Sequence, residues 1–376
     1  MPTPKILIIG LGWASASFIK TIDTDKYDVE VFSLDNKFVY TPLLPQNIKQ
    51  NNTLTLNGTD INNRIKFTCR EIKNLDVTNS KIIVKSGINS HYNYLILAHG
   101  ASVNTFNISG VEENCQFLKT EVNADELREK IKSLPEKSHI AVIGCGLTGS
   151  ELIGSLLDYN KFNIHAIDAL PRPIMMFSEK LSNMTIKLWK ANNINIYMNH
   201  LVSSVNSREI NFVNNEKINY DLAIWCGGIK KSPLTNNILS ALKIENSKGI
   251  PVNSYLQVEN VKNVWALGDC ASSGLPPTAQ VAYQQGEYLA RQFNNNIKND
   301  INDINDINDI NDNKKKKPFQ FNNNGQIGYI GLKQSVCQLP YLQAGGNLVY
   351  YLNNVIHFYN GINLKQKINI MRNNEK

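Results

Sequence analysis

"SHIAVIGCGLTGSELIGSLL", Ser138 to Leu157, changes its backbone period within twenty residues. "HIAVI" is a run of β-formers, and Gly144-Cys-Gly146-Leu-Thr-Gly149 is a glycine-punctuated turn. The residues beyond it read as a helix, and "FNIHAIDAL" follows as a second strand. In this context each glycine has a physical task. Gly144 permits a sharp turn, Gly146 lets the main chain approach a pyrophosphate at the helix N-terminus, and Gly149 allows close helix–strand packing. Asp168 stands at the tip of the second strand, 19 residues past Gly149. A carboxylate there accepts hydrogen bonds from a ribose 2′-hydroxyl and repels a 2′-phosphate, so it favours NADH over NADPH.

The same arrangement occurs 134 residues earlier. "KILIIGLGWASASFIKTI" (Lys5 to Ile22) is followed by the strand "YDVEVFSL". Gly10 and Gly12 match the first two glycines, Ser15 takes the third position as another small residue, and Asp35 falls slightly beyond the expected acid. "YNYLILAHG", closed by Gly100, and "YDLAIWCGG", closed by Gly228, repeat one another at similar distances after their fingerprints. Two strand–turn–helix starts with matched later strands predict an α/β chain with two doubly wound, Rossmann-like dinucleotide-binding domains.

The expected boundaries are 1–133 and 255–296 for the two parts of the first dinucleotide-binding domain and 134–254 for the second, inserted into it. A low-complexity loop over 297–318 and a small C-terminal α+β region over 319–376 complete the chain. The loop contains "DINDINDINDINDN" and the run Lys314–Lys317, whose period of three fits neither helix nor strand. In the last region Leu348, Leu352, Val355 and Tyr359 recur at helical spacing up to Gly361.

Composition narrows the function. At 376 residues and 42% hydrophobic content, the chain can fill more than one core. A net charge of +7, partly from one lysine run, gives no reason to expect nucleic acid. The cysteines Cys69, Cys115, Cys145, Cys226, Cys270 and Cys337 have neither metal-ligand nor disulfide-framework spacing, so no metal site is expected. A strand beginning at residue 5 leaves no room for a signal or transit peptide upstream, and no apolar run is long enough to span a bilayer.

"VWALGDCAS" ends a further apolar strand at Gly268-Asp269, where a carboxylate can hold a flavin's ribityl chain. Leu275 to Phe293 then reads as one helix. Pro276 and Pro277 fix its lead-in, and Thr278 is the expected cap. Its N-terminal positive end would favour a reduced, anionic flavin. Ala279, Ala282, Gly286 and Ala290 share one face, which suits close approach either to the flavin ring or to its supporting strands.

These segments together resemble the type II NADH dehydrogenases, single-subunit NADH:quinone oxidoreductases that pump no protons. "GLGWASASFIK" resembles the family's glycine–tryptophan fingerprint, and "FVYTPLLPQ" its segment beside the flavin. "YNYLILAHGASVNTFNISGVEENCQFLK", "GCGLTGSELIGSL", "LGDCASSGLPPTAQVAYQQGEYLARQFN" and "GQIGYIG" extend the likeness to about residue 335. The resemblance implies FAD held by Gly10, Gly12, Thr41, Asp269, Ala279 and Gln280. It implies NADH held by Gly144, Gly146, Gly149, Glu151, Asp168 and Gly228, with Glu151 near the nicotinamide. Gln280 and Gln284 would border the quinone headgroup, whose neutral carbonyls are matched by amide donors.

Gln280, Gln284 and Glu151 are therefore the expected catalytic residues. Ala14 and His99 depart from the family pattern, and the chain stops soon after Arg372, where relatives continue into a membrane-binding tail. Leu364, Ile368 and Met371, beside Lys365, Lys367 and Arg372, are expected to rest on an anionic membrane surface. NADH, a quinone, that surface and a second copy of the chain are the expected partners. Two other readings stand beside this one. One is a sulfide:quinone reductase using Cys115 and Cys337; the other is a slowly turning FAD/NADH sensor like the apoptosis-inducing factor.

Overall fold

The computed structural model describes residues 3–49, 54–85, 87, 89–295, 317–362 and 366–367. The isoleucine–asparagine–aspartate repeat, all but the last of the Lys314–Lys317 run, and Leu364, Lys365, Ile368, Met371 and Arg372 lie outside them. In chain order, the elements that position the site are β1 (Lys5–Ile9), α1 (Trp13–Thr21), β2 (Asp28–Ser33), β3 (Lys66–Cys69) and β4 (Tyr94–Leu97). Then come β5 (Cys115–Phe117), β6 (His139–Ile143), α2 (Leu147–Leu157), β7 (Asn163–Asp168), β8 (Asn195–Met198) and β9 (Leu222–Trp225). The last are β10 (Val264–Ala266), α3 (Ala279–Asn295), β11 (Gln326–Gly331), β12 (Gln334–Leu339), β13 (Leu342–Gly346) and α4 (Asn347–Asn360).

The chain divides into two compact units. The first comprises Met1–Val39, Thr55–Ser102 and Lys230–Asn322, and the second Tyr40–Leu54, Val103–Ile229 and Asn323–Lys376. In the first, five parallel strands run in the order β10-β4-β1-β2-β3. In the second, five parallel strands run β5-β9-β6-β7-β8. Each fingerprint strand is thus central, with its second and third strands on one side and the glycine-ended strand on the other. Each sheet also has a three-stranded antiparallel ribbon between its third strand and its glycine-ended one: Ile72–Asp76, Lys81–Val84 and Ser90–His91 in the first, Val202–Val205, Glu209–Phe212 and Lys217–Asn219 in the second.

The duplication extends to single bonds. Gly10 N–H donates to Phe32 O at 2.7 Å, and Gly144 N–H to Ile167 O at 2.8 Å. Both glycines are left-handed, at φ +98° and +96°, and a Cβ on either would strike a neighbouring carbonyl, Ala98 O or Cys226 O. Leu7, Ile9, Phe32, Leu95, Leu97 and Ala266 belong to the first core. Ala141, Ile143, Ile167, Ala223 and Trp225 do the same in the second.

The units are cut differently from the expected 1–133, 134–254, 255–296 and 319–376: Tyr40–Leu54 and Val103–Ile229 fall in the second unit, and Lys230–Asn322 returns to the first. The main segment of the second unit starts at Val103, ahead of the expected 134, because Cys115–Phe117 is an edge strand paired with β9. The second unit also takes in the C-terminal antiparallel sheet β11-β12-β13, which lies on α2 so closely that a Cβ on Gly154 would strike Gly331 N at 2.5 Å. Helix α4 closes this region with an inverted pattern. It buries Val349, Asn353 and His357, while Leu348, Tyr351, Leu352, Val355 and Tyr359 face outward.

Candidate active site

In the first unit, α1 starts bare. No side chain caps it at Gly12, a side chain at Gly12 would meet nothing within 4 Å, and Ser15 Oγ is buried with no partner. Uncapped N–H donors, open space and an orphaned hydroxyl together fit a pyrophosphate, so these residues suit FAD. Ser33 occupies the place in β2 that Asp168 occupies in β7, since Ile9 pairs with Phe32 and Ile143 with Ile167. Asp35 lies two residues further on, in an exposed turn where its carboxylate accepts from Lys37 N–H at 3.2 Å.

Gly268 and Asp269 form a short 3-10 turn after β10. With Ser273, Pro276, Pro277 and Thr278 they line a hollow at the N-terminus of α3. Thr278 caps that helix as expected, its hydroxyl oxygen accepting from Val281 N–H at 3.2 Å, so the helix starts at Ala279 rather than Leu275. Ala279 and Gln280 open it beside the hollow. Gly100 and Gly228 lie just beyond β4 and β9 in their separate units.

The small-residue face of α3 meets α1, and neither a ring nor a strand is needed to explain it. A Cβ on Gly286 would collide with the Ala14 carbonyl, and Ala290 is fully buried. Gln284 also has a structural use. Its Nε2 donates to Asn322 O at 2.8 Å and its Oε1 accepts from Asn322 N–H at 2.9 Å, so both ends of the amide hold the incoming segment. Of the helix's glutamines Gln280, Gln284 and Gln285, the last is the fully buried one. Its Oε1 accepts from Gly268 N–H at 2.7 Å and its Nε2 donates to Ser273 Oγ at 3.3 Å, which fixes the loop carrying Asp269.

The second unit repeats the bare helix start at Gly146. Gly149 is required sterically, because a Cβ there would overlap the Gly144 carbonyl oxygen. Asp168 is held by two main-chain donors, Cys145 N–H at 2.6 Å and Leu170 N–H at 2.8 Å. Its remaining lone pairs suit a ribose hydroxyl. These features fit the adenosine half of NADH.

Glu151 lies within the buried face of α2, and its Oε1 accepts from Tyr329 N–H at 3.4 Å. Burial pushes its carboxyl up to about 8, against which that single donor works weakly. Thr41 belongs to this unit, in the 3-10 turn Thr41–Leu43. Next to it, the buried Tyr40 hydroxyl lies 3.2 Å from His357 Nδ1 on α4, a pairing with no signature in the sequence. In the first unit, His99 Nε2 lies 2.9 Å from Thr235 Oγ1, and burial lowers the imidazole to about 4, so it is neutral at pH 7.

The family model for pyridine nucleotide-disulphide oxidoreductases matches residues 4–286, most of the chain. The chain belongs to that family. Among curated relatives, a probable NADH dehydrogenase of Dictyostelium discoideum is 30% identical, covering 91% of this chain and 82% of its own. A probable mitochondrial NADH-ubiquinone oxidoreductase of Schizosaccharomyces pombe is 29% identical over 98% of this chain and 81% of its own. The fold is that of NDH2 from Plasmodium falciparum in complex with NADH, at TM-score 0.89 and 23% identity, covering 99% and 97% of the two chains. The sulfide:quinone oxidoreductase of Aquifex aeolicus shares the fold at TM-score 0.78 and 15% identity, covering 95% of this chain and 90% of that one.

Proposed function

We propose that the chain is a type II NADH:quinone oxidoreductase, which passes a hydride from NADH to FAD and two electrons onward to a quinone. The carrying observation is the pair of matched, uncapped helix starts, one followed by Asp168 and the other complemented by Asp269 and α3. When bound, FAD supplies the hydride acceptor and the two-electron store. The protein's share is orientation, electrostatics and one proton, since the balanced reaction is NADH + H⁺ + quinone giving NAD⁺ + quinol.

Gly10, Gly12, Ser15, Thr41, Gly100, Asp269, Ala279 and Gln280 form the proposed FAD set, with Asp269 on the ribityl chain. Asp35 stays a weaker member of it, because Ser33 holds the strand-end position. Gly144, Gly146, Gly149, Glu151, Asp168 and Gly228 form the NADH set. The positive end of α3 favours negative charge nearby by about 0.3–2 kcal/mol. Gln280 offers an amide to the quinone carbonyl, and Gln284 reaches it only by giving up Asn322. Glu151, neutral below pH about 8, holds the proton the quinone needs.

The cysteines speak against sulfide chemistry. Burial pushes Cys115 up to about 12, and Cys337 is fully enclosed. Anaerobic NADH should bleach the purified yellow protein, and a soluble quinone should restore its colour. NADPH should do so at least about tenfold less efficiently, the equivalent of 1.4 kcal/mol of discrimination at Asp168. Equal rates with both nucleotides would remove Asp168 from the site. Bleaching without reoxidation by quinone would instead favour the sensor reading.

No helix among the described residues is long and apolar enough to cross a membrane. We propose a peripheral attachment through the outward face of α4, where Leu348 is 84% exposed and Tyr359 69%. Such a stripe suits the lipid boundary in which quinones dissolve. The Schizosaccharomyces pombe relative is named as mitochondrial, and the membrane we propose is a mitochondrial one.

A further inference from the structure

The second unit contains one backbone conformation that its packing does not explain. Phe106 stands at φ +52°, in the left-handed region that a bulky side chain rarely enters. Asn107 follows at +55°, but asparagine tolerates that region. Strain of this kind persists where the surrounding structure enforces it, and it gathers at ligand sites. It has not been accepted here to bury the ring, which is 60% exposed. The arch that carries Phe106 is nonetheless held at every point. Val103 and Ile108, at its two ends, pack on the core of the unit. Asn104 N–H donates to Gly228 O at 3.0 Å, Asn104 O accepts from Trp225 Nε1–H at 2.9 Å, and Asn104 Oδ1 accepts from Phe106 N–H at 2.9 Å. Ile108 N–H closes the turn onto Thr105 O at 3.0 Å.

These bonds set the ring beside the dinucleotide edge of the sheet. Phe106 meets the Trp225 indole edge to face, at 6.5 Å between centroids. The indole covers Gly227, where a Cβ would strike it at 2.7 Å. Gly228 is left-handed at φ +110°, and Phe106 Cζ lies 3.9 Å from the place its Cβ would take. Gly227 Cα is in turn 2.9 Å from where a Cβ on Gly144 would sit, so one glycine pair separates the ring from the fingerprint turn. Strand order then decides which half of the ligand it faces. With Asp168 at the end of β7 and the fingerprint at the end of β6, the adenosine would lie over β7 and the pyrophosphate over β6. The remaining half would extend over β9, the neighbour on the other side, beyond which Phe106 stands.

We propose that Phe106 is the outer wall of the nicotinamide half of the NADH site, a ring left exposed for the nicotinamide to cover. This assignment rests on the NADH reading of the unit. The dihydronicotinamide is flat and largely apolar, so an aromatic neighbour shields it from water without touching the adenosine or pyrophosphate contacts. Gly227 and Gly228 keep the intervening space free of side chains.

The test uses oxidised, FAD-loaded protein and calorimetric affinities for two ligands. Tetrahydro-NADH keeps a reduced ring but cannot give up a hydride, and ADP-ribose lacks the ring. Phe106→Asn suits the left-handed backbone and removes the aromatic group. It should weaken tetrahydro-NADH by about three- to tenfold, the range of one aromatic contact, and leave ADP-ribose unchanged. Phe106→Tyr should keep wild-type affinity for both. Equal loss of both ligands would mean that the arch matters and the ring does not, which overturns the proposal, as does unchanged affinity for both. Should Phe106→Asn fail to fold, Phe106→Gly, which adopts the same backbone freely, is read in the same way. A wild type that binds ADP-ribose but gains nothing from the reduced ring sinks the proposal and leaves the nucleotide site standing. One that binds neither sinks the NADH reading with it.

Discussion

Glu151 is a carboxylic acid held neutral by its surroundings, and this has a consequence for stability. The unfolded chain releases the proton near pH 4.5, whereas the folded chain keeps it up to about 8. Stability from this group is therefore complete below pH 4.5, falls as pH rises between the two values, and is lost above the upper one. Glu151→Gln, which has the same shape and no charge to bury, should be more stable than the wild type by about 2 kcal/mol or more at pH 9, with no gain at pH 4. Chemical denaturation at the two pH values reads this directly, and parallel curves at both would contradict it. Gly149→Ala makes a different demand, because its Cβ would overlap the Gly144 carbonyl. Overpacking of this kind costs about 1–3 kcal/mol, so NADH affinity should fall about tenfold while FAD content is kept. Gly149 is legible from the fingerprint, whereas Glu151 is singled out only by the family resemblance. The burial of Glu151 is legible from neither, because its hydrogen-bond donor, Tyr329, lies 178 residues away.

Helix α3 shows how far one element can be read from its own residues. Its cap and its small-residue face were visible as a pattern, but three glutamines within six residues look alike in a sequence. Contacts from elsewhere separate them: Gln285 turns to the Gly268 loop and Gln284 to Asn322. Gln285→Leu would leave the Gly268 N–H and the Ser273 hydroxyl without their partner. It should cost about 1–3 kcal/mol and loosen FAD, measured by flavin retention on dilution. Gln284→Ala breaks an exposed clamp and should cost less than about 1 kcal/mol. In α4 the 3.6-residue period located the helix correctly, yet periodicity has no sign. It shows that apolar residues share a face without saying whether that face meets protein or something outside the chain.

For the molecule as a whole, the outward face of α4 predicts binding to lipid. Leu348→Ser, Val355→Ser and Tyr359→Ser combined should leave NADH bleaching of the flavin intact and abolish flotation with anionic liposomes. Each buried apolar side chain is worth about 1.5–3 kcal/mol, enough in sum to change binding by several orders of magnitude. If flotation persists, the face is not the anchor. If the wild type instead dimerises through it and the variant does not, its occupant is a second copy. The two nucleotide folds were specified by local chemistry: a turn that only glycine makes, a helix start left uncapped, a strand closed by an acid. Such features act within a few residues and so survive in a linear reading. The partners of Glu151, the choice among three glutamines and the inward turn of His357 depend on segments that meet only after the chain has folded. Their energies come from burial and from hydrogen bonds between distant residues, and no local pattern encodes either.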